Sequence, residues 1–250
     1  MEHAHADHDH GGNGRHGHSH VARPVGGAFA TAVFLNIALV ITQVVYGLLA
    51  GSVALLADAG HNFGDVLGLL LAWIAHGAAQ RPPTARYTYG FRSASILAAL
   101  LNAILLLVAT GAIAWEAIRR FAEPGEVAGL TVMIVAAIGI LVNGGSALLL
   151  MAGSKGDLNM RGAFLHLLGD AAVSVGVVAA GAGILLTGWQ WLDPLASLAI
   201  SVFIVWSTWG LLRGAVALSL DAVPSGIDPG EVRRFLEGLE GVSGIHDLHI

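Results

Sequence analysis

The sequence predicts an all-α membrane protein: a six-transmembrane-helix bundle followed by the truncated start of a cytoplasmic α/β domain. Three observations carry this. First, 55% of the 250 residues are hydrophobic and only 12% are charged, roughly half the charged share of an ordinary soluble domain. Second, the charges are clustered. No Asp, Glu, Lys or Arg occurs between Arg23 and Asp58, between Glu126 and Lys155, or between Asp193 and Arg213, and each run can cross a bilayer core, which takes about 20 helical residues. Third, glycine is frequent, with 34 residues, as close packing between membrane helices favours.

The spans follow in order. Residues 1–24 form a polar, His-rich tail with no apolar face, expected to be disordered and cytoplasmic. A first helix is expected over Gly27–Leu49, with a turn at Gly51 and Ser52, and a second over Leu55–Ala79. The polar stretch Gln80–Arg92 carries Pro82 and Pro83 as breakers. A third helix covers Ser93–Ile118, and Glu123–Glu126 forms a loop. A fourth covers Val127–Gly153, followed by a polar link over Ser154–Arg161. The fifth and sixth cover Gly162–Thr187 and Pro194–Leu212, so the six-helix membrane domain is residues 25–213. Six spans return the chain to its starting side, and basic loops stay inside. With both termini cytoplasmic, ten of the twelve Lys and Arg residues lie inside and only Arg119 and Arg120 outside, the arrangement expected of a multi-pass protein of the inner, cytoplasmic membrane. Trp115, Trp189 and Trp191 then fall at the outer interface, where indoles anchor.

Residues 214–250 turn polar. A helix is expected from Asp228 and Pro229, with Val232, Phe235, Leu236 and Leu239 on one face, and Ile245, Leu248 and Ile250 read as a strand. So short a segment cannot bury an adequate core alone, so the sequence is expected to stop inside a longer domain.

Five ionisable residues sit where lipid should be: Asp58, His61 and Asp65 in the second span, His166 and Asp170 in the fifth. Such groups are costly in a bilayer and mark function by default. His61 and Asp65 are four residues apart and share a helix face, as do His166 and Asp170. Together the pairs supply two imidazole nitrogens and two carboxylates, a tetrahedral set suited to Zn²⁺ and open to Cd²⁺, Co²⁺ or Mn²⁺. Protons compete with metal for the same atoms, the chemistry an exchanger needs. A single His–Asp pair is as readily a structural hydrogen bond; two matching copies point to a site. Asp58, one turn earlier, reads either as an ion guide at the outer mouth or as a helix N-cap. Asn36, Gln43, Asn102 and Asn143 read as interhelical hydrogen bonds.

Weaker metal candidates lie at the ends. The tail carries His3, His5, His8, His10, His16, His18 and His20, which reads as metal capture or as a plain solvated segment. His246 and His249 could hold cytosolic metal or be ordinary surface.

Other classes lack their signatures. There is no cysteine, hence no thiolate site, and no His-Glu-x-x-His or phosphate-binding Gly-Lys-Ser/Thr loop. The chain is therefore not expected to be an enzyme or an ATP-driven pump. A four-ligand site holds an ion too tightly for a channel. The alternative to a transporter is a membrane metal sensor using the same His/Asp site. The partners expected are divalent metal ions, protons and the lipid bilayer, with no nucleic acid.

Four segments carry a family resemblance: SVALLADAGHNFGD (52–65), YTYGFR (87–92), NMRGAFLHLLGDAAVSVG (159–176) and HDLHI (246–250). They resemble the cation diffusion facilitator family, close to its zinc-transporting branch. The resemblance implies six helices, a homodimer and export of Zn²⁺ from the cytosol in exchange for protons. It implies that His61, Asp65, His166 and Asp170 are the transport ligands. It also implies a cytoplasmic ferredoxin-like domain with regulatory Zn²⁺ sites, His246 among their ligands. Gln43 departs from the pattern, since relatives often carry a carboxylate in that part of the first helix.

Overall fold

The computed structural model describes residues 26–151, 158–224 and 226–250, with side chains from 33 to 151 and from 161 onward. The His-rich tail, including His3 through His20, lies outside them. Seven helices appear among the described residues: α1 (Gly26–Leu49), α2 (Val53–Ala79), α3 (Ala94–Ala122), α4 (Gly129–Met151), α5 (Leu158–Thr187), α6 (Leu192–Ser219) and the short α7 (Pro229–Glu237). Five of them, α2 to α6, are long and apolar enough to cross a membrane, and α1 contributes a shorter apolar segment over Val33–Leu49.

The bundle is inside out relative to a soluble protein. Trp73, Leu149, Leu186 and Trp206 are each more than 70% exposed, whereas Gln43, Asp58, Asn62, Asn143, Ser174 and Asp193 are buried. An apolar exterior around a polar interior suits hydrocarbon, where polar groups must find partners inside the protein. The chain is an integral membrane protein.

Each helix boundary has a local cause. α2 starts at Val53 because Ser52 caps it, its hydroxyl accepting from the Leu55 N–H at 3.0 Å. α4 starts two residues later than the sequence suggests. The Val127 N–H donates to Gln190 Oε1 and the Ala128 N–H to the Ala50 carbonyl, so these groups are engaged across the bundle. α3 and α6 run past their expected ends at Ile118 and Leu212, to Ala122 and Ser219. A charged residue such as Arg119 or Arg213 marks the edge of an apolar run, yet Arg and Ala are both good helix formers. α7 begins as expected, with Asp228 accepting from the Gly230 N–H at 2.8 Å. The expected strand at Ile245–Ile250 is not formed, and no strand occurs among the described residues. A strand needs a ladder partner, and the apolar residues of α7 are not buried either.

Three turns gather at one end of the bundle: α1–α2, α3–α4 and α5–α6. The Gly51 carbonyl accepts from the Arg120 guanidinium, and Asp193 of α6 accepts from Ser52 Oγ at 2.5 Å and the Val53 N–H at 2.7 Å. A carboxylate there also suits the positive end of the α2 dipole. Gly51 is required twice over: its φ is +65°, and a Cβ would lie 2.8 Å from the Glu126 carbonyl oxygen. The apolar core, with Leu55, Val132, Val135, Val177, Ile184, Ile200 and Ile204, fills this same end. The opposite end, called here the terminal end, carries the α2–α3 loop and the starts of α1 and α5.

α4 packs on α5 over the longest interface, α3 pairs with α6, and α2 touches α1, α3, α5 and α6. The α4–α5 contact depends on backbone approach at two small residues. A Cβ on Gly129 would lie 2.9 Å from the Gly181 carbonyl oxygen, and one on Gly181 would lie 3.0 Å from that of Gly129. Lipid drives helices together weakly, so such close packing matters. Gly129→Leu is expected to lower the thermal aggregation midpoint of the detergent-purified protein, reflecting an overpacking penalty of about 1–3 kcal/mol. Gly144→Ala, on the same helix and facing open space, is the neutral control; equal midpoints for both variants would refute this account of the seam.

Candidate metal centre

The centre is built where α2 crosses α5. The helical spacing places His61 and Asp65 on one face of α2, and His166 and Asp170 on one face of α5, but the contacts run crosswise between helices. His61 Nε2 lies 3.0 Å from Asp170 Oδ1, and His166 Nε2 lies 3.3 Å from Asp65 Oδ1. His166 Nε2 is also 3.8 Å from Asp170 Oδ2. His61 and Asp170 are buried, whereas the His166 side chain is 49% exposed and stands at the mouth. The two imidazole rings are 6.1 Å apart edge-on, and Phe203 backs His61 at 6.0 Å.

These separations suit a small cation. Tetrahedral ligands about 2.0–2.1 Å from zinc are about 3.3 Å apart. The two cross-helix distances of 3.0 and 3.3 Å and the 3.8 Å separation within α5 bracket that edge. Ligand atoms of His61, Asp65 and Asp170 all lie within 4.8 Å of one another, and His166 stands outside that group, joined to it through Asp65 at 3.3 Å. Asp65 Oδ2 and Asp170 Oδ2 are buried without a hydrogen-bond partner, leaving lone pairs free for a guest. Two carboxylates balance a dication and leave the filled site neutral, the cheapest state in a low-dielectric interior.

Access is one-sided. A cavity of about 330 Å³ reaches Asp65, His166 and Asp170 from between α1, α2, α4 and α5, lined by Asn36, Ser146 and Leu150. A second, of about 280 Å³, reaches His61 from between α2, α3, α5 and α6, lined by Ser207 and Thr208. Both draw on the terminal-end halves of these helices. Toward the other end the path is shut by a polar clasp. Asp58 Oδ2 accepts from Gln43 Nε2 at 2.6 Å and from Ser174 Oγ at 3.0 Å. Asn62 Nδ2 donates to Gln43 Oε1 at 3.2 Å and lies 3.5 Å from Asp58 Oδ1, while Asn143 Nδ2 donates to Asn62 Oδ1 at 3.4 Å. α1, α2, α4 and α5 are thereby tied together by side chains that are almost wholly buried.

Several expectations need correction. Asp58 is not an N-cap: Ser52 caps α2, and Asp58 sits fully buried in the clasp. It is also outside the group that could hold a metal. Gln43 forms the interhelical hydrogen bond expected of it, donating to Asp58 of α2. Asn143 does bond between helices, but the Oδ1 atoms of Asn36 and Asn102 are buried with no partner. His246 and His249 are exposed and join no metal-sized group among the described residues. The sequence reading missed Asn62, Ser174 and Asp193. Ser174 was within reach of it, because His166, Asp170 and Ser174 form an i, i+4, i+8 stripe. Asp193 carries no comparable local signal.

Comparison with known proteins places this architecture. The chain is 38% identical over 237 residues to the zinc transporter ZitB of Pectobacterium atrosepticum, covering 94% of this chain and 74% of that protein. It is 37% identical over 212 residues to the cadmium, cobalt and zinc/H(+)-K(+) antiporter of Bacillus subtilis, covering 84% and 68%. It is 35% identical over 236 residues to the metal cation efflux system protein CzcD of Cupriavidus metallidurans, covering 94% and 74%. The family model for the cation efflux transmembrane domain matches residues 30–218, and so the chain belongs to the cation efflux, or cation diffusion facilitator, family of membrane transporters.

Proposed function

We propose that this protein is a secondary transporter that exports Zn²⁺ from the cytosol in exchange for protons. Its transport ligands in this reading are His61, Asp65, His166 and Asp170. The observation that carries the proposal is the crosswise pairing of two imidazoles with two carboxylates, at 3.0 and 3.3 Å, inside helices that can cross a membrane. The similar proteins named for zinc transport, and for antiport of cadmium, cobalt and zinc, support the same cargo class. Cd²⁺ and Co²⁺ fit this mixed nitrogen and oxygen set as well.

In the full reading α1 is the sixth span, both termini are cytoplasmic, and the protein is a homodimer in the inner membrane. Residues 214–250 then begin a cytoplasmic α/β domain that could carry regulatory Zn²⁺. The terminal-end cavities make the present arrangement inward-facing, and the clasp is the closed outer gate. Alternating access requires the clasp to part while the terminal end closes around the same four ligands.

Coupling follows from the donor atoms. A metal can bind only neutral imidazole and ionised carboxylate. Protons therefore displace Zn²⁺ at the more acidic exterior, and the more alkaline cytosol strips them off again. The sign is definite: lowering pH weakens metal binding. Proteoliposomes containing a pH-sensitive dye and given a zinc gradient should show protons moving against zinc, and an imposed pH gradient should drive zinc uphill. Full-rate zinc flux with no proton counter-movement, and no uphill transport, would replace the exchanger with a passive carrier.

A further inference from the structure

The cavity that leads to the metal centre is rich in acceptors. Asn36 Oδ1 of α1, Asn102 Oδ1 of α3, Asp65 Oδ2 and Asp170 Oδ2 are all buried oxygen atoms with no protein donor. Asn102 borders both cavities, together with Asp65, His166 and Asp170, and Asn36 borders the larger. Asn102 is seated by a gap in α2: a Cβ on Gly68 would lie 2.8 Å from its Nδ2. Buried polar groups without partners are rare and ask for a reason. Four unpartnered acceptors suit a guest that donates, and a hydrated dication presents a shell of polarised water O–H groups on every side.

A four-ligand site cannot receive such an ion whole. Most of its waters must be exchanged for protein atoms, and an ion shedding water in a narrow cavity needs oxygens to hold the remaining shell. We propose that Asn36 and Asn102 form an outer-sphere waiting position for the hydrated divalent cation, holding its water beside Asp65 while His61, Asp65, His166 and Asp170 replace that water. The carboxamides act through hydrogen bonds to the ion's water and are not ligands of the seated metal. This inference rests on the proposed transport site, and it assigns Asn102 as a positioning residue for loading.

The test is Zn²⁺ association with the full chain in detergent, followed by stopped-flow competition with a fluorescent zinc indicator, alongside equilibrium Kd. Asn102→Ala is expected to slow association about ten-fold, the worth of one hydrogen bond to a strongly polarised donor. Kd should stay essentially unchanged, because release slows along the same route. Asn102→Asp, which keeps the acceptor oxygens, should load at least as fast as the native protein. Asn36→Ala should slow loading in the same direction and serves if Asn102→Ala does not fold. Native association rates in both alanine variants overturn the proposal. So does a raised Kd at an unchanged association rate, which would make Asn102 a ligand of the seated ion. Failure of the native chain itself to bind Zn²⁺ would instead refute the transport-site reading.

Discussion

Asp170→Ala is expected to reduce zinc flux in proteoliposomes to the background leak while the protein still inserts and purifies as a helical bundle. Asp170 is the one carboxylate that approaches both imidazoles, with Oδ1 3.0 Å from His61 and Oδ2 3.8 Å from His166. It is 1% exposed, seated between α2 and α5. The substitution removes a ligand and half of the charge that neutralises a dication. Loss of one partner from a buried charged group costs about 3–5 kcal/mol, which is about two to four orders of magnitude in affinity. The fold should survive, since the two histidines can remain neutral and the α4–α5 seam is untouched. Zinc flux and circular dichroism on the same preparation decide the matter. Native flux in a correctly folded Asp170→Ala protein would remove it from the site.

Asp58→Leu should shift the protein away from the arrangement seen here. The substitution strips the acceptor from Gln43 Nε2, Ser174 Oγ and the neighbouring Asn62 Nδ2. Each buried donor left unsatisfied costs about 1–3 kcal/mol, and the whole penalty falls on the state in which the clasp is formed. A bias of several kcal/mol moves a two-state equilibrium by about three orders of magnitude or more. The absence of cysteine from the chain makes the measurement free of background. A reporter at Ser146→Cys, on the terminal-end cavity, should react with a water-soluble thiol reagent in the otherwise native protein and lose reactivity with Asp58→Leu. A reporter at Ala57→Cys, fully buried in the far-end core, should gain it. Unchanged labelling at both positions, with transport lost, would make the clasp a structural feature and not a gate.

Both expectations depend on relations that differ in how far the sequence reveals them. The spans, the turns and the shared face of each His–Asp pair were legible, because they follow from local geometry. An apolar run of bilayer length makes a helix, and a four-residue spacing returns to the same face whatever surrounds it. The cap at Asp228 and the break at Pro82 and Pro83 are equally local. The strand expected at Ile245–Ile250 failed for the opposite reason: alternation shows which residues could pair, but not whether a partner is there.

What only tertiary structure decided is who meets whom. His61 pairs with Asp170 across 109 residues of chain, not with Asp65 on its own helix. Asp193 closes the start of α2 from 140 residues away. Asp58 could have been an N-cap, and packing instead buried it among Gln43, Asn62 and Ser174. The physical reason is common to all three. A polar side chain inside a bilayer must find a partner, and a helix's own sequence sets the face on which that side chain lies. Which partner it finds depends on which helix is packed against that face, and that is set by the close approach of small residues such as Gly129 and Gly181, far from the polar groups they bring together.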